Sequence, residues 1–284
     1  MSLWRFDAIG TVWEIETEAP VDDERRAEVR SVIDAFDRGW SRFREDSAVS
    51  AISGGGGIPA PVDAVAMLDL YRELSDATAG AVNPLAGDAL VALGYDAGYS
   101  LVPGEPRPAP ADWTRVLHWS SETLTLAEPA VIDVGALGKG RLVDRVLSVL
   151  AGVRGRIVVD AGGDLATRGG ELRVALEHPY DPALAVGVAV IRDRALCASG
   201  IGRRAWGDGL HHVIDARTGL PVRRWAATWA IAVDALHADA AATAVFFDGG
   251  ERFAARHDAG WVRMSTDGRI ESSPGFPGEL FLAA

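Results

Sequence analysis

Val131-Ile-Asp133-Val-Gly135-Ala-Leu-Gly138-Lys139-Gly140-Arg-Leu-Val-Asp144 changes pattern twice within a short run. A few apolar residues, the mark of a short buried strand, end at Asp133. Gly135, Gly138 and Gly140 follow, with Lys139 between the last two. Leu142, Val143, Val146, Leu147 and Leu150 then recur on one helical face. Glycines between a strand and a helix let backbone come close to a ligand. The first N–H groups of the helix lack partners within it, and Lys139 adds a positive charge, so the run has the chemistry of a phosphate site. Its spacing is neither that of a P-loop nor Gly-x-Gly-x-x-Gly after a first strand. An ordinary tight strand-to-helix turn reads the same residues equally well.

Upstream, residues 4–15 alternate enough for a first strand, with Gly10-Thr11 inside it. Asp22 is placed to cap an amphipathic helix carrying Val29, Val32, Ile33, Phe36 and Trp40. The glycine run 54–57 reads as a mobile loop. Residues 64–78 have helical spacing, closed by Gly80 and the Asn83-Pro84 turn, and 85–93 form a short third helix. Four prolines in residues 101–112 make that segment a non-helical connection. A hairpin over 116–119 and 124–126 leads into the strand ending at Asp133.

Downstream, short strands are expected at 156–160, 172–176, 185–191, 195–198, 213–215 and 229–233. An alanine-rich helix over 238–247 and a hairpin around Asp267-Gly268 close the chain. Helices early and late with strands between define an α+β fold, read as one domain over residues 1–284.

Composition narrows the function classes. Lys and Arg against Asp and Glu give 28 − 40 = −12, which argues against nucleic-acid or anionic-membrane partners. A phosphate ligand must then be met locally, by glycines, a metal or a few basic residues. Cys197 is the one cysteine and reads as a buried, inert thiol. No apolar run reaches the length of a membrane span and the N-terminus lacks the pattern of an export signal, so a cytoplasmic protein is expected.

Two further groups of residues could carry chemistry. Asp239 and Thr243 are four apart on the last helix and face one side, where a carboxylate and a hydroxyl suit a hard cation such as Mg2+. A Thr that bonds back to its own helix and an Asp at a helix start are the plain alternative. The second group is Ser199-Gly200, then Arg203-Arg204, then His211-His212-Val-Ile-Asp215-Ala-Arg217-Thr218-Gly219-Leu-Pro221. His212 and Asp215 could move a proton or orient a phosphate. Asp215 could equally do no more than start a turn with Thr218-Gly219. Adjacent histidines on a strand point to opposite faces, so at most one of His211 and His212 enters a given site.

Taken together and in order, these segments resemble the ApbE family, the FAD:protein FMN transferases. The run from Asp133 to Gly140, followed by Val143-Asp144, is similar to its Asp-x-Gly-x-x-Ala-Lys-Gly signature. Asp160-Ala-Gly162-Gly163-Asp164 resembles its Asn-x-Gly-Gly-Asp turn, and Ser199-Gly200 its Ser-Gly. His212-Val-Ile-Asp215-Ala-Arg217-Thr218-Gly219-Leu-Pro221 is similar to its His-Ile-Ile-Asp-Pro-x-Thr-Gly-x-Pro, and Asp239-Ala-Ala-Ala-Thr243 to its metal-binding Asp-x-x-x-Thr. Gly10-Thr11, the Ser41–Ser47 segment and Thr78-Ala-Gly80 fit its N-terminal half. The chain departs from the pattern at Gly138 (usually Ala), Asn83 (usually Asp), Ala216 (usually Pro), Ala198 (usually Thr) and Ser53 (near a usual Asn).

The resemblance implies a single T-fold-like α+β domain that uses FAD as substrate and Mg2+ as cofactor. A Ser or Thr hydroxyl of an acceptor flavoprotein would take FMN from FAD, with release of AMP. It implies a metal at Asp239, Thr243 and the Gly138 carbonyl, and catalytic roles for His212 and Asp215. Contacts to FAD would come from Gly135, Gly138, Lys139, Gly140, Gly162, Gly163, Asp164, Ser199, Gly200, Thr218 and Gly219. Hydrolysis of FAD to FMN and AMP, and FAD binding or storage without transfer, are the alternatives.

Overall fold

The computed structural model describes residues 1–281 and is α+β, as the order of helical and strand patterns predicts. Its contacts group the chain into two compact units. The first holds Met1–Ile33, Leu137–Gly202 and the residues from Arg223 on; the second holds Asp34–Ala136 and Arg203–Val222.

The first unit is built on an eight-stranded sheet in the order Ser2–Ala8, Thr11–Thr17, Ile157–Asp160, Asp164–Arg168, Ala195–Gly200, Trp225–Ala232, Gly260–Ser265 and Ile270–Ser272. Every neighbouring pair is antiparallel. Trp225–Ala232 is buried along its whole length because both of its faces are covered. Ala227, Trp229 and Ile231 pack with Leu176, Val186 and Ile191 of a three-stranded sheet formed by Glu171–His178, Asp181–Arg192 and Gly278–Leu280. On the opposite face Thr228 donates to the Ala242 carbonyl at 2.6 Å, tying the strand to the helix Ala235–Ala244. Period-2 alternation thus sends large side chains to one layer and small ones to the other. The alanines of the helix let it lie close to the sheet. Beside it packs the helix Gly138–Val149, whose Leu142, Val143 and Val146 are buried.

The second unit contains the helix Ala64–Ala77 and a three-stranded antiparallel sheet ordered Gly56–Pro59, Thr123–Leu126, Leu117–Trp119. It also holds the short helix Gly87–Ala92 and two small hairpins, Ala205–Trp206 with Leu210–His211 and Ile214–Asp215 with Leu220–Pro221.

Several sequence expectations need correction. Residues 4–15 are not one strand. Ile9 (φ 45°) and Gly10 (φ 74°) form a two-residue turn between Ser2–Ala8 and Thr11–Thr17. The glycine run is not a free loop, since Gly56 and Gly57 pair with Leu126 and Thr125, and ladder bonds offered by an adjacent strand override intrinsic flexibility. Residues 131–133 join no sheet. Val131 N–H is taken by Asp88 at 2.9 Å and Asp133 N–H by the Pro84 carbonyl at 2.8 Å, so the backbone is satisfied without a ladder. Asp164–Arg168, Gly250–Arg256 and Gly278–Leu280 are elements the periodicity did not reveal. No described helix is long and apolar enough to cross a membrane.

Candidate active site

In the first unit the helix Gly138–Val149 meets the helix Ala235–Ala244. Gly138 and Gly140 lie in the first turn of the former, not in a loop before it. A methyl group at Gly140 would run into the Ala235 carbonyl oxygen and come within 2.7 Å of the Asp239 Cβ, so only glycine permits this approach. The closeness lets Gly140 N–H donate to Asp239 Oδ2 at 2.9 Å. One of the backbone donors expected to face a phosphate is therefore engaged by a carboxylate.

Lys139 points its ammonium at Asp164 Oδ2, 3.1 Å away. Asp164 and Asp239 are 1% and 4% exposed. Burial works against the Lys139 charge, but Asp164 and Asp239 outweigh it and hold the ammonium above its ordinary value. Burial, then the charge of Asp164, pushes the Asp239 carboxyl well above the ordinary carboxylate range, against the pull of Lys139 and the Gly140 N–H. Two buried carboxylates thus share one lysine. With both ionised the pair carries an excess of negative charge, which a divalent cation would relieve. Thr243 lies one turn beyond Asp239 on the same helical face, so the donor chemistry suits a hard oxygen-seeking ion. No cluster of three or more His, Cys, Asp or Glu side chains among the described residues is arranged to hold a metal. The remaining ligands of such an ion would have to be water, backbone or substrate oxygens. Asp144 belongs to the signature run but lies outside the ligand set that the resemblance implies. It accepts the N–H groups of Ala235 (2.7 Å) and Leu236 (2.9 Å), and burial pushes its carboxyl up to about 6.

Gly162 (φ 67°) and Gly163 (φ 104°) make the turn between Ile157–Asp160 and Asp164–Arg168. Gly163 N–H donates to Asp160 Oδ1 at 2.9 Å, an aspartate turn that delivers Asp164 to Lys139. Ala198 N–H reaches the Gly163 carbonyl at 2.9 Å, which sets the Ser199-Gly200 end of its strand beside the same turn. Cys197 is buried and burial raises its thiol well above the usual value, consistent with an inert residue.

The other predicted residues, Gly135, His212, Asp215, Thr218 and Gly219, belong to the second unit. His211 is structural, its Nε2 lying 2.9 Å from the Val222 carbonyl. His212 is half-buried and its Nδ1 has no hydrogen-bond partner. Burial, then Arg204 and His211, lowers the imidazole to about 3, so the ring is neutral at physiological pH. Asp215 is gripped by its neighbour Arg217 at 2.6 Å, while its carbonyl accepts Thr218 and Gly219 N–H at 3.1 and 2.8 Å. The turn-forming alternative describes these contacts. Gly219 (φ 70°) sits against the backbone of Arg107, where a side chain has no room, so this glycine seats the proline-rich connection.

Gly135 N–H donates to Asp133 Oδ1 at 2.7 Å. Asp133 in turn is paired with buried Arg42 at 2.6 Å, and although burial opposes it, Arg42 holds the carboxyl below its ordinary range. Arg42 lies in a segment that resembled the family, but nothing in its spacing marked it as the partner of Asp133. Asn83, one of the departures, is occupied structurally: Nδ2 donates to the Pro110 carbonyl and Oδ1 accepts Leu85 N–H, both at 2.9 Å.

The model of the ApbE family matches residues 9–261. An FAD:protein FMN transferase of Rhodobacter capsulatus is 27% identical over 299 residues, an alignment covering 95% of this chain. The chain spans 56% of that relative's length. Among solved structures, the ApbE protein of Thermotoga maritima is similar with a TM-score of 0.81 and 21% identity, over 96% of this chain and 97% of that one. The flavin transferase ApbE of Vibrio cholerae has a TM-score of 0.77 and 21% identity, over 97% of each chain.

Proposed function

The chain belongs to the ApbE family, and from that premise we propose that it is an FAD:protein FMN transferase that works as one functional domain over residues 1–284. The observation that carries the proposal is the pair of buried carboxyls Asp164 and Asp239 beside the half-buried Lys139, with Thr243 one turn beyond Asp239. The name of the Rhodobacter capsulatus relative supports the same reaction. A Ser or Thr hydroxyl of an acceptor flavoprotein attacks the FMN-side phosphorus of FAD. A new phosphorus–oxygen bond forms to that hydroxyl oxygen, the bond to AMP breaks, and the hydroxyl proton is lost.

Asp239 and Thr243, with the Gly138 carbonyl, would hold Mg2+, which when bound supplies neutralisation of the charge on the pyrophosphate. Lys139 keeps its ammonium charged beside the carboxylates and adds positive potential at the helix start. Gly162, Gly163, Asp164, Ser199 and Gly200 shape the wall beside it; Gly135, Thr218 and Gly219 serve by setting backbone conformation. His212 is proposed to bond the substrate as a neutral ring, because an imidazole lowered to about 3 has little drive to take a hydroxyl proton at neutral pH. Asp215 positions the turn. A cytoplasmic flavoprotein is the proposed acceptor.

The test is incubation with FAD, Mg2+ and an acceptor domain bearing an Asp-x-x-Ser/Thr-Gly-Ala-Thr segment. Flavin fluorescence that stays with the acceptor on a denaturing gel, and disappears in Asp239→Ala, is expected. An acceptor that stays unlabelled under every condition contradicts the proposal.

A further inference from the structure

We propose that Asp144 is a positioning residue for the Asp239 carboxylate: it locks the helix Ala235–Ala244 in register on the helix Gly138–Val149 and thereby sets the cation affinity of the Asp239–Thr243 pair. The inference rests on the metal-dependent reading above and adds a residue to which that reading gives no role.

Gly140 and Asp144 are four apart, so they share one face of their helix. Both address the first turn of the other helix. Asp144 takes the N–H groups of Ala235 and Leu236, at 2.7 and 2.9 Å, while Gly140 leaves room for the Ala235 carbonyl. The exchange is reciprocal, because Gly140 N–H is given to Asp239 Oδ2 at 2.9 Å. A slide of one residue along either helix is about 1.5 Å, enough to break all three bonds and to carry Asp239 with them. A metal–oxygen distance tolerates only about 0.2 Å. Groups that orient a metal ligand commonly change metal affinity by about 10–100-fold when removed. Asp144 does this through the helix and not by touching the ligand itself.

The test is Mn2+ titration of the full chain, followed by electron paramagnetic resonance with and without FAD, alongside thermal unfolding. Asp144→Ala is expected to weaken Mn2+ binding by about tenfold or more. Asp144→Asn, which keeps one acceptor oxygen, should fall between it and the wild type. Val262→Ala, a buried change on the strand Gly260–Ser265, lowers the unfolding temperature but should leave the affinity within about twofold, because it touches neither helix bond. Unchanged Mn2+ affinity in Asp144→Ala, or an equal loss in Val262→Ala, overturns the proposal alone. A wild-type chain that takes up no Mn2+ overturns both the proposal and the reading beneath it.

Discussion

A methyl group at position 140 would occupy space held by the Ala235 carbonyl and the Asp239 Cβ. Gly140→Ala should therefore push two packed helices apart and destabilise the protein by about 1–3 kcal/mol, measured by urea unfolding. A variant as stable as the wild type would show that the helices can yield there. The sequence displays this glycine plainly but invites a different explanation, a phosphate cradle, because nothing local reveals which helix will lie across it. The four-residue spacing that puts Asp239 and Thr243 on one helical face is legible in the sequence. That the charges of Lys139 and Asp164 would bear on Asp239 is not, since Asp164 comes from a turn far away in the chain.

His212 makes stability depend on pH. Its ring is lowered from 6.5 to about 3 in the folded state, so on acidification the unfolded chain takes up the proton first. The associated stability is complete above pH 6.5 and is lost as pH falls toward 3. The free-energy difference between wild type and His212→Asn should shrink over that range, by at most about 1.4 kcal/mol per pH unit. A difference that grows on acidification would mean that the fold favours the imidazolium.

At the level of elements, the strongest periodicities were the most reliable. Val29, Ile33, Phe36 and Trp40 mark the inner face of the helix Asp23–Trp40, and Asp22 caps it by accepting Arg25 N–H at 2.8 Å. Strands that depend on a distant partner were hidden. Gly56 and Gly57 have no strand propensity of their own, and Asp164–Arg168 looks polar because its neighbours, not its sequence, make it a strand. The Thr218-Gly219 turn was visible, but its load was not. Gly219→Ala should cost about 1–3 kcal/mol, since the φ of 70° disfavours a side chain and the Arg107 backbone blocks one. Thermal unfolding that leaves this variant unchanged would contradict the packing of the proline-rich connection on that turn.

Across the whole molecule, the resemblance of ordered short motifs and the similarity to solved ApbE structures point the same way, although those structures are only 21% identical. Family membership was legible because motifs record chemistry. The antiparallel order of the eight strands was not, because long-range pairing is set by burial of both sheet faces and not by any one segment. A net charge of −12 argues against a polyanionic partner, and the charge of Lys139 is answered locally by Asp164.

The most direct measurement counts products. Purified protein is incubated with FAD and the acceptor domain, with and without Mg2+, and AMP, free FMN and acceptor-bound flavin are quantified by chromatography. AMP and acceptor-bound FMN in equal amounts, only with Mg2+ and not with Asp239→Ala, is the result expected of a transferase. FAD that remains intact with Mg2+ and acceptor present, or AMP released together with free FMN when no acceptor is added, would contradict it.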